Sequence, residues 1–404
     1  MPANYIFVKK NDIVTAGPDE LVSCRNGYMK KKLTIGVDIR DLRVAQTGTK
    51  TYLEELCKAF RELSDENCCF RFLDTSLPVY TRRGKFGKYF EHFSYQFWKQ
   101  VSLPLKAYFN NCDILFCTDN FVPLIQLGYQ TIPVFHDAFF FENPEHYGKL
   151  WLKLYHLTAI PAAKKAAFIV TPTVYAQQQI HKYTGIPLAK LKVIYEGPKS
   201  IGLAAQEGII AKYNLQPSNY ILHVGSMFKR KNIPALIHAF KQLKDNTNSS
   251  VKLVLAGPSS ANKSSNDFSA ILDAIKLTGL EQEVVITGYL TDSELATFYM
   301  NALMYVFPSV NEGFGIPILE AFKYQIPVIV ADNTALPEVG GNAVICFNPF
   351  DTEDMYLKMK TVLENQDLRK ELILKGQQRL KDFSWLKSSL QLLALFREAV
   401  YNQH

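Results

Sequence analysis

From residue 33 onward the chain alternates short, β-rich apolar runs with amphipathic segments. The first set of runs is KLTIGVDIR, FRFLD, CDILFCT, TIPVFHD, AAFIVTPT and AKLKVIYEG, and TYLEELCKAFREL between them carries its apolar residues at helical spacing. Strands separated by helices predict parallel βαβ units, because parallel neighbours need a crossover connection. After the less regular GPKSIGLAAQEGIIAKYNL the alternation restarts with YILHVGS, NIPALIHAFKQL, VKLVLAGP, VVITGY, DSELATFYMNA, LMYVFPS, IPILEAFKY, IPVIVAD and NAVICF. Two α/β domains are therefore expected, with a junction near residues 196–205. SWLKSSLQLLALFREAVY reads as one last amphipathic helix.

The expected divisions are an N-terminal extension over 1–33, a first domain over 34–198, a second over 199–384, and a C-terminal helix over 385–404. The extension is set apart because MKKK at 29–32 resembles a translation start and no motif precedes it. SSANKSSND, residues 259–267, reads as a polar loop within the second domain. One further segment, TRRGKFGKYFEHFSYQFWKQVSLPLKAYF, sets Arg82, Arg83, Lys85, Lys88, Lys99 and Lys106 against a single acid, Glu91. Phe86, Phe90, Phe93, Phe97 and Val101 recur there at helical spacing. That pattern fits a core helix with a solvated basic face, and it also fits a helix lying on a membrane surface.

Composition narrows this picture only modestly. The 404 residues, 48% of them hydrophobic, suffice for two cores. A net charge of +7 favours anionic partners without choosing among them. Seven cysteines with no CxxC pair suggest neither a disulfide framework nor a zinc site, which points to a reducing cytoplasm. No apolar stretch is long enough to span a bilayer, and the first residues lack the apolar core of a signal peptide, so a soluble or peripheral protein is expected.

Candidate chemistry collects at predicted strand ends. LMYVFPS, VNEGFG and IPILEAFKY read as strand, loop and helix, which puts the glycine turn where open α/β sheets bind ligands. Pro317 suits a first helical position, and the amides of Phe314, Gly315 and Ile316 would then lie at the positive helix end, open to a phosphate. Gly313 and Gly315 would let the backbone approach closely. Glu320 would fall in the first helical turn and Glu312 in the loop, both facing one cleft. YILHVGSMFKRKN repeats the strand-to-loop pattern with Lys229, Arg230 and Lys231, cations suited to a diphosphate. In the first domain, TGT puts Thr47 and Gly48 in a loop before a helix, and TIPVFHD ends a strand on His136 and Asp137. His136 there is either a substrate-facing group or a structural hydrogen-bonder.

These residues carry a family resemblance. PSVNEGFGIPILEAF looks like the Glu-x7-Glu signature of retaining glycosyltransferase family 4, and GSMFKRKN resembles its basic diphosphate loop. GYLTDSELATFYMNA, IPVIVADNTALPEVGGNAVICFNP, TGTKTY, FHD and FSW follow in the family's order, from about residue 33 to 400. The branch it most resembles is the mannosyltransferase-like one. The resemblance implies a GT-B fold: two Rossmann-like domains facing a cleft, with the last helix crossing back to the first. It also implies that Glu320 binds the nucleotide ribose and that Glu312, Gly313, Phe314, Gly315 and Ile316 hold the donor sugar. Arg230 and Lys231 would bind the diphosphate, His136 would lie beside the sugar, and Gly48, Thr49, Tyr289 and Leu290 would line the donor site. The chain departs from the family at Ser226, where an arginine is usual, at Lys50 and Thr51 in the first-domain loop, and in the bulkier QIPV.

The implied reaction moves a hexose from a nucleoside-diphosphate sugar, with GDP-mannose favoured, to a glycan or lipid-linked acceptor. No cofactor is expected and, with no Asp-x-Asp motif, no metal. Retention by same-face return of the acceptor follows from the family alone. A non-catalytic sugar-nucleotide binding protein would share every loop. An oxidoreductase is disfavoured because TIGVDIR offers no GxGxxG. A glycoside hydrolase would use a carboxylate pair but has no need of the Arg-Lys loop. The other expected partner is an anionic membrane surface on the cytoplasmic side; nucleic acid is not expected.

Overall fold

The structure is a computed structural model, and it describes residues 6–9, 12–15, 32–45, 48–79, 85–144, 148–202, 208–258 and 267–401. Thr47, Arg82, Arg83 and most of the 259–267 loop lie outside the described residues. Within the expected N-terminal extension, β1 (Ile6–Lys9) and β2 (Asp12–Thr15) pair as an antiparallel hairpin.

Every β-rich run named above forms a strand. In the first domain these are β3 (Leu33–Asp38), β4 (Cys68–Leu73), β5 (Ile114–Cys117), β6 (Gln130–Pro133), β7 (Ile169–Thr171) and β8 (Leu191–Val193). In the second they are β9 (Tyr220–Val224), β10 (Lys252–Ala256), β11 (Val284–Gly288), β12 (Met304–Phe307), β13 (Val328–Ala331) and β14 (Val344–Phe347). All these pairings are parallel. Helices on both faces explain why runs such as Ile114–Cys117 and Val328–Ala331 are apolar throughout: every residue in them is buried.

The two sheets are wound differently. The second runs β11-β10-β9-β12-β13-β14, the dinucleotide-binding order, which reverses direction between β9 and β12. The first runs β4-β3-β5-β6 and continues into β7-β8 through a bridge between Val134 and Val170. Its reversal falls between β3 and β5, the flavodoxin-like arrangement rather than a repeat of the second sheet's order. Each reversal opens a crevice at the strands' carboxyl ends.

The last helix, Trp385–Tyr401, returns to the first domain as expected. Phe396 packs against Phe60 and Phe116, with ring centroids 6.3 and 5.3 Å apart. Where the chain crosses, Trp385 Nε1 donates to the carbonyl of Pro198 at 2.8 Å and Ser388 Oγ to that of Tyr195 at 2.6 Å. The domains thus meet along two adjacent chain crossings, with the cleft on their far side.

Candidate active site

The β9 and β12 loops flank the reversal of the second sheet, so the two motifs read separately from the sequence come together. After β9 the chain forms a short 3-10 turn over Lys229–Lys231 and then, through Asn232 at φ 56°, enters the helix Ile233–Asp245. The carbonyl of Arg230 accepts from Val310 N at 2.8 Å, which ties this turn to the loop after β12.

Glu312 is the centre of the resulting cluster. One of its oxygens lies 2.6 Å from Arg230 Nη1, 2.6 Å from Lys231 Nζ and 2.7 Å from Ser309 Oγ. Burial pushes its carboxyl up, but the adjacent Arg230 and Lys231 charges outweigh this and hold it at about 2. Lys231 is itself buried, with its ammonium over the Phe307 ring, and loss of solvent brings it down to about 8 in spite of Glu312. The expected cations are therefore present but already neutralised in part by the expected sugar-binding glutamate. An incoming anion would have to take them from Glu312.

Glu320 differs from the expectation in its placement. The helix Ile316–Lys323 begins one residue before Pro317, so Pro317 is its second residue and Glu320 lies in its second turn. Glu320 is buried and accepts a 2.8 Å hydrogen bond from Tyr299 Oη, and burial raises its carboxyl above the usual range. The two glutamates thus have separate partners, cations for Glu312 and a phenol for Glu320.

Gly313 does allow a close backbone approach: a Cβ there would stand 2.0 Å from the His136 carbonyl oxygen, so this glycine lets the second domain's loop touch the residue just past β6. Gly315 caps the helix at φ 114°, a conformation that disfavours any side chain. Phe314 and Ile316 are buried, Phe314 against Tyr195 and Phe383. At the end of β11, Tyr289 is 74% exposed while Leu290 is buried. Gly48 and Thr49 open the helix Gly48–Leu63, and the space about Gly48 is open.

His136 sits where β6 ends. Its Nε2 is 2.9 Å from the Thr118 carbonyl and its Nδ1 is 3.4 Å from Glu196, while Tyr52 meets the ring edge-on at 4.7 Å. Burial lowers the imidazole's affinity for a proton, but the bonded Glu196 carboxylate more than offsets this and the net shift is upward. Both ring nitrogens thus face acceptors, Thr118 and Glu196.

Several residues that hold the cleft together went unnoticed in the sequence. Thr173 Oγ1 of the first domain donates to the Gly313 carbonyl at 2.9 Å, and Asn311 Nδ2 donates to Glu142 at 2.6 Å. Glu338 accepts from the amides of Val174 and Tyr175, at 2.8 and 3.0 Å, and from Tyr195 Oη at 3.0 Å. In the first domain's own crevice, Lys99 Nζ lies 2.6 Å from Asp38 and 2.5 Å from Asp119. Asp38, Cys117 and Asp119 come close enough together to suggest a cation site, yet the Lys99 ammonium already stands between the carboxylates. The Asp that ends β3 in GVDI and the Asp just past β5 in CTDN were the available signal for this cluster.

Residues 206–379 match the family model described as glycosyl transferases group 1. The second domain is a group 1 glycosyl transferase domain. Over 272 residues the chain is 25% identical to the O-antigen chain mannosyltransferase B of Escherichia coli, covering 66% of this chain and 70% of that protein. Over 276 residues it is 29% identical to the serotype-specific mannosyltransferase WbdA of Escherichia coli, covering 66% of this chain but only 33% of that longer one. Among solved structures, sucrose-phosphate synthase from Thermosynechococcus elongatus superposes with a TM-score of 0.71 at 16% identity, over 91% of this chain and 99% of that one. Anabaena HepE in complex with UDP and glucose gives 0.67 at 15% identity, over 91% and 100%. At such identities these two speak for the fold alone, which is GT-B.

Proposed function

We propose that this protein is a retaining, metal-independent glycosyltransferase of family 4. It moves a hexose, with mannose favoured, from a nucleoside-diphosphate sugar to a glycan or lipid-linked acceptor in polysaccharide synthesis. The observation that carries this reading is the Arg230–Lys231–Glu312 cluster at the reversal of the second sheet, where a net positive charge is held beside the start of a helix. The group 1 domain and the mannosyltransferases among its relatives support the class of donor, and GDP-mannose is the favoured one.

In this reading the diphosphate displaces Glu312 from the two cations and lies along Arg230 and Lys231. As the bond from the anomeric carbon to the phosphate oxygen breaks, the charge growing on that oxygen meets fixed positive groups, so no metal is required. The acceptor hydroxyl then bonds to the same face of the carbon and its proton passes to the departing phosphate. Glu312, freed from Lys231, is positioned near the positive charge that develops on the sugar. Glu320, fixed by Tyr299, offers its other oxygen to the ribose. The acceptor reaches the cleft over the first domain, at the cytoplasmic face of a membrane.

Thermal-shift titration with GDP, UDP, dTDP and ADP sugars tests the donor, since a ligand at ~100 times its Kd adds about 2.7 kcal/mol to stability. Stabilisation by GDP-mannose, and acceptor-dependent release of GDP unaffected by EDTA, are expected. Turnover abolished by EDTA and restored by magnesium or manganese would refute the electrostatic assignment.

A further inference from the structure

The basic aromatic segment of the first domain folds as one continuous helical rod: Lys85–Phe97, a π-helical turn over Trp98–Ser102, and Leu103–Phe109. Its inner face packs Trp98, Leu103 and Ala107 into the first domain's core and also carries polar ties. Toward the protein, Trp98 Nε1 donates to Asp38 at 3.1 Å, Lys99 bridges Asp38 and Asp119, and Tyr95 Oη donates to Asp119 at 2.5 Å. Away from it, Phe93, Phe97, Val101, Leu105 and Phe109 are all exposed, Phe93 by 67% and Phe109 by 75%. The rod therefore does bury a core face, but the stripe through Phe93, Phe97 and Val101 lies outside it and Lys99 lies inside.

These five residues recur at every fourth position. In a straight α-helix each such step drifts by ~40°, so the stripe would wind about 160° around the rod from Phe93 to Phe109. The π turn has a wider loop of hydrogen bonding and advances less per residue, which offsets part of that drift. Pro104, which cannot donate a backbone bond, follows directly and favours the irregular turn. From Phe93 to Phe109 the stripe extends ~24 Å; no described helix is long and apolar enough to cross a membrane, but a rod with one exposed apolar stripe is suited to lie along one.

We infer that the outer face of the 85–109 rod is a docking surface for an anionic lipid bilayer. The sequence supplies the charge complementarity, since Arg82, Arg83, Lys85 and Lys88 precede Phe93 along the chain, which has a net charge of +7. The inner face fixes the geometry: the same helix is bolted by Trp98, Lys99 and Tyr95 to the carboxyl ends of β3 and β5, which border the first domain's crevice. Docking therefore sets that crevice at a fixed distance from the lipid surface, where a lipid-linked acceptor would be met. This extends the proposed function by naming its second partner.

The experiment is vesicle co-sedimentation of the full chain without nucleotide, using phosphatidylcholine vesicles with and without phosphatidylglycerol. Wild type should bind the anionic vesicles and release only partly in high salt. The double variant Phe93→Glu, Phe97→Glu should bind at least ~10-fold more weakly, or about 1.4 kcal/mol, while keeping its circular dichroism and its GDP affinity. No binding by wild type, or equal binding by the variant, overturns the inference. So does a wild-type dimer in solution that the same variant dissociates, which would make the stripe an interface between copies. GDP affinity is read separately, so a failure of the glycosyltransferase reading leaves GDP unbound without altering the vesicle result.

Discussion

At the carboxyl ends of β9 and β12 two cations, Arg230 and Lys231, face one carboxylate, Glu312; at the ends of β3 and β5 Lys99 and Arg40 stand among Asp38, Asp41, Glu91 and Asp119. Both groups occupy the reversal of an open parallel sheet. The first has a surplus of positive charge reachable from the cleft, the second a surplus of carboxylate around a lysine that is 1% exposed. The difference teaches that the sheet provides the crevice but not its use. Positive surplus waits for an anion, while the deeply paired cluster spends its cations on fixing a helix in place.

Breaking the buried cluster should have the largest effect. Lys99→Met leaves Asp38 and Asp119 without their shared cation, and removing one partner from such a group costs about 3–5 kcal/mol. Urea denaturation should show the loss as a lower midpoint with an unchanged slope, and an unaltered midpoint would mean the cluster is solvated. Lys231→Ala, by contrast, should leave the fold and remove donor-dependent transfer by at least ~100-fold, about 2.7 kcal/mol in kcat/KM. Because Lys231 is brought down to about 8, transfer in the wild type should also decline as pH rises through about 8, and Lys231→Arg should move that decline upward. Normal rates in the alanine variant would place the diphosphate elsewhere.

At the cation-rich site of the second domain the two glutamates should separate. Glu312→Gln should lower turnover by at least ~10-fold, about 1.4 kcal/mol, while free nucleoside diphosphate binds at least as tightly, because the cations lose their competitor. Glu320→Gln should act chiefly on nucleotide affinity, since a ribose contact is present in ground and transition states alike. Dissociation constants and turnover numbers for both variants decide the matter; equal losses in both quantities would end the division of labour.

The strands were legible because helices cover both faces of each sheet, so buried runs such as VIVA and ILFC are apolar without interruption. The joining of KRKN to NEGFG was legible in kind, since both follow strands, but their contact depends on the order of β9 and β12, which no local pattern encodes. For the same reason what Gly313 approaches was not legible: its neighbour, the His136 carbonyl, comes from another domain. The 85–109 stripe showed its period plainly. Which side faced water depended on Lys99 finding Asp38 and Asp119, residues 61 and 20 positions away. Long-range ion pairs leave no periodic trace.

The smallest expected effect concerns Asp41, at the rim of the buried cluster around Lys99. Burial, and then the neighbouring charge of Asp119, push its carboxyl up to about 7, with Lys99 and Arg40 only partly opposing them. The groups facing it are therefore Asp38, Asp119, Lys99 and Arg40. The folded protein holds a proton on Asp41 more tightly than the unfolded chain does, where the group titrates at about 3.9. Its contribution is fully present below about pH 4 and is lost as pH rises to about 7. Glu312 works in the opposite sense, its contribution being lost as pH falls through about 4 toward 2, so the two windows hardly overlap. His136, whose affinity for a proton is raised, loses its contribution above about pH 6.5 in wild type and variant alike, and so drops out of a difference between them. Asp41→Asn mimics the protonated group at every pH. Its stability relative to wild type should therefore rise between about pH 4 and 7 and stay constant above, by an amount smaller than the loss in Lys99→Met. Parallel stability curves across that window would show that Asp41 is solvated and ionised, and that the first crevice holds more negative charge than the buried cluster implies.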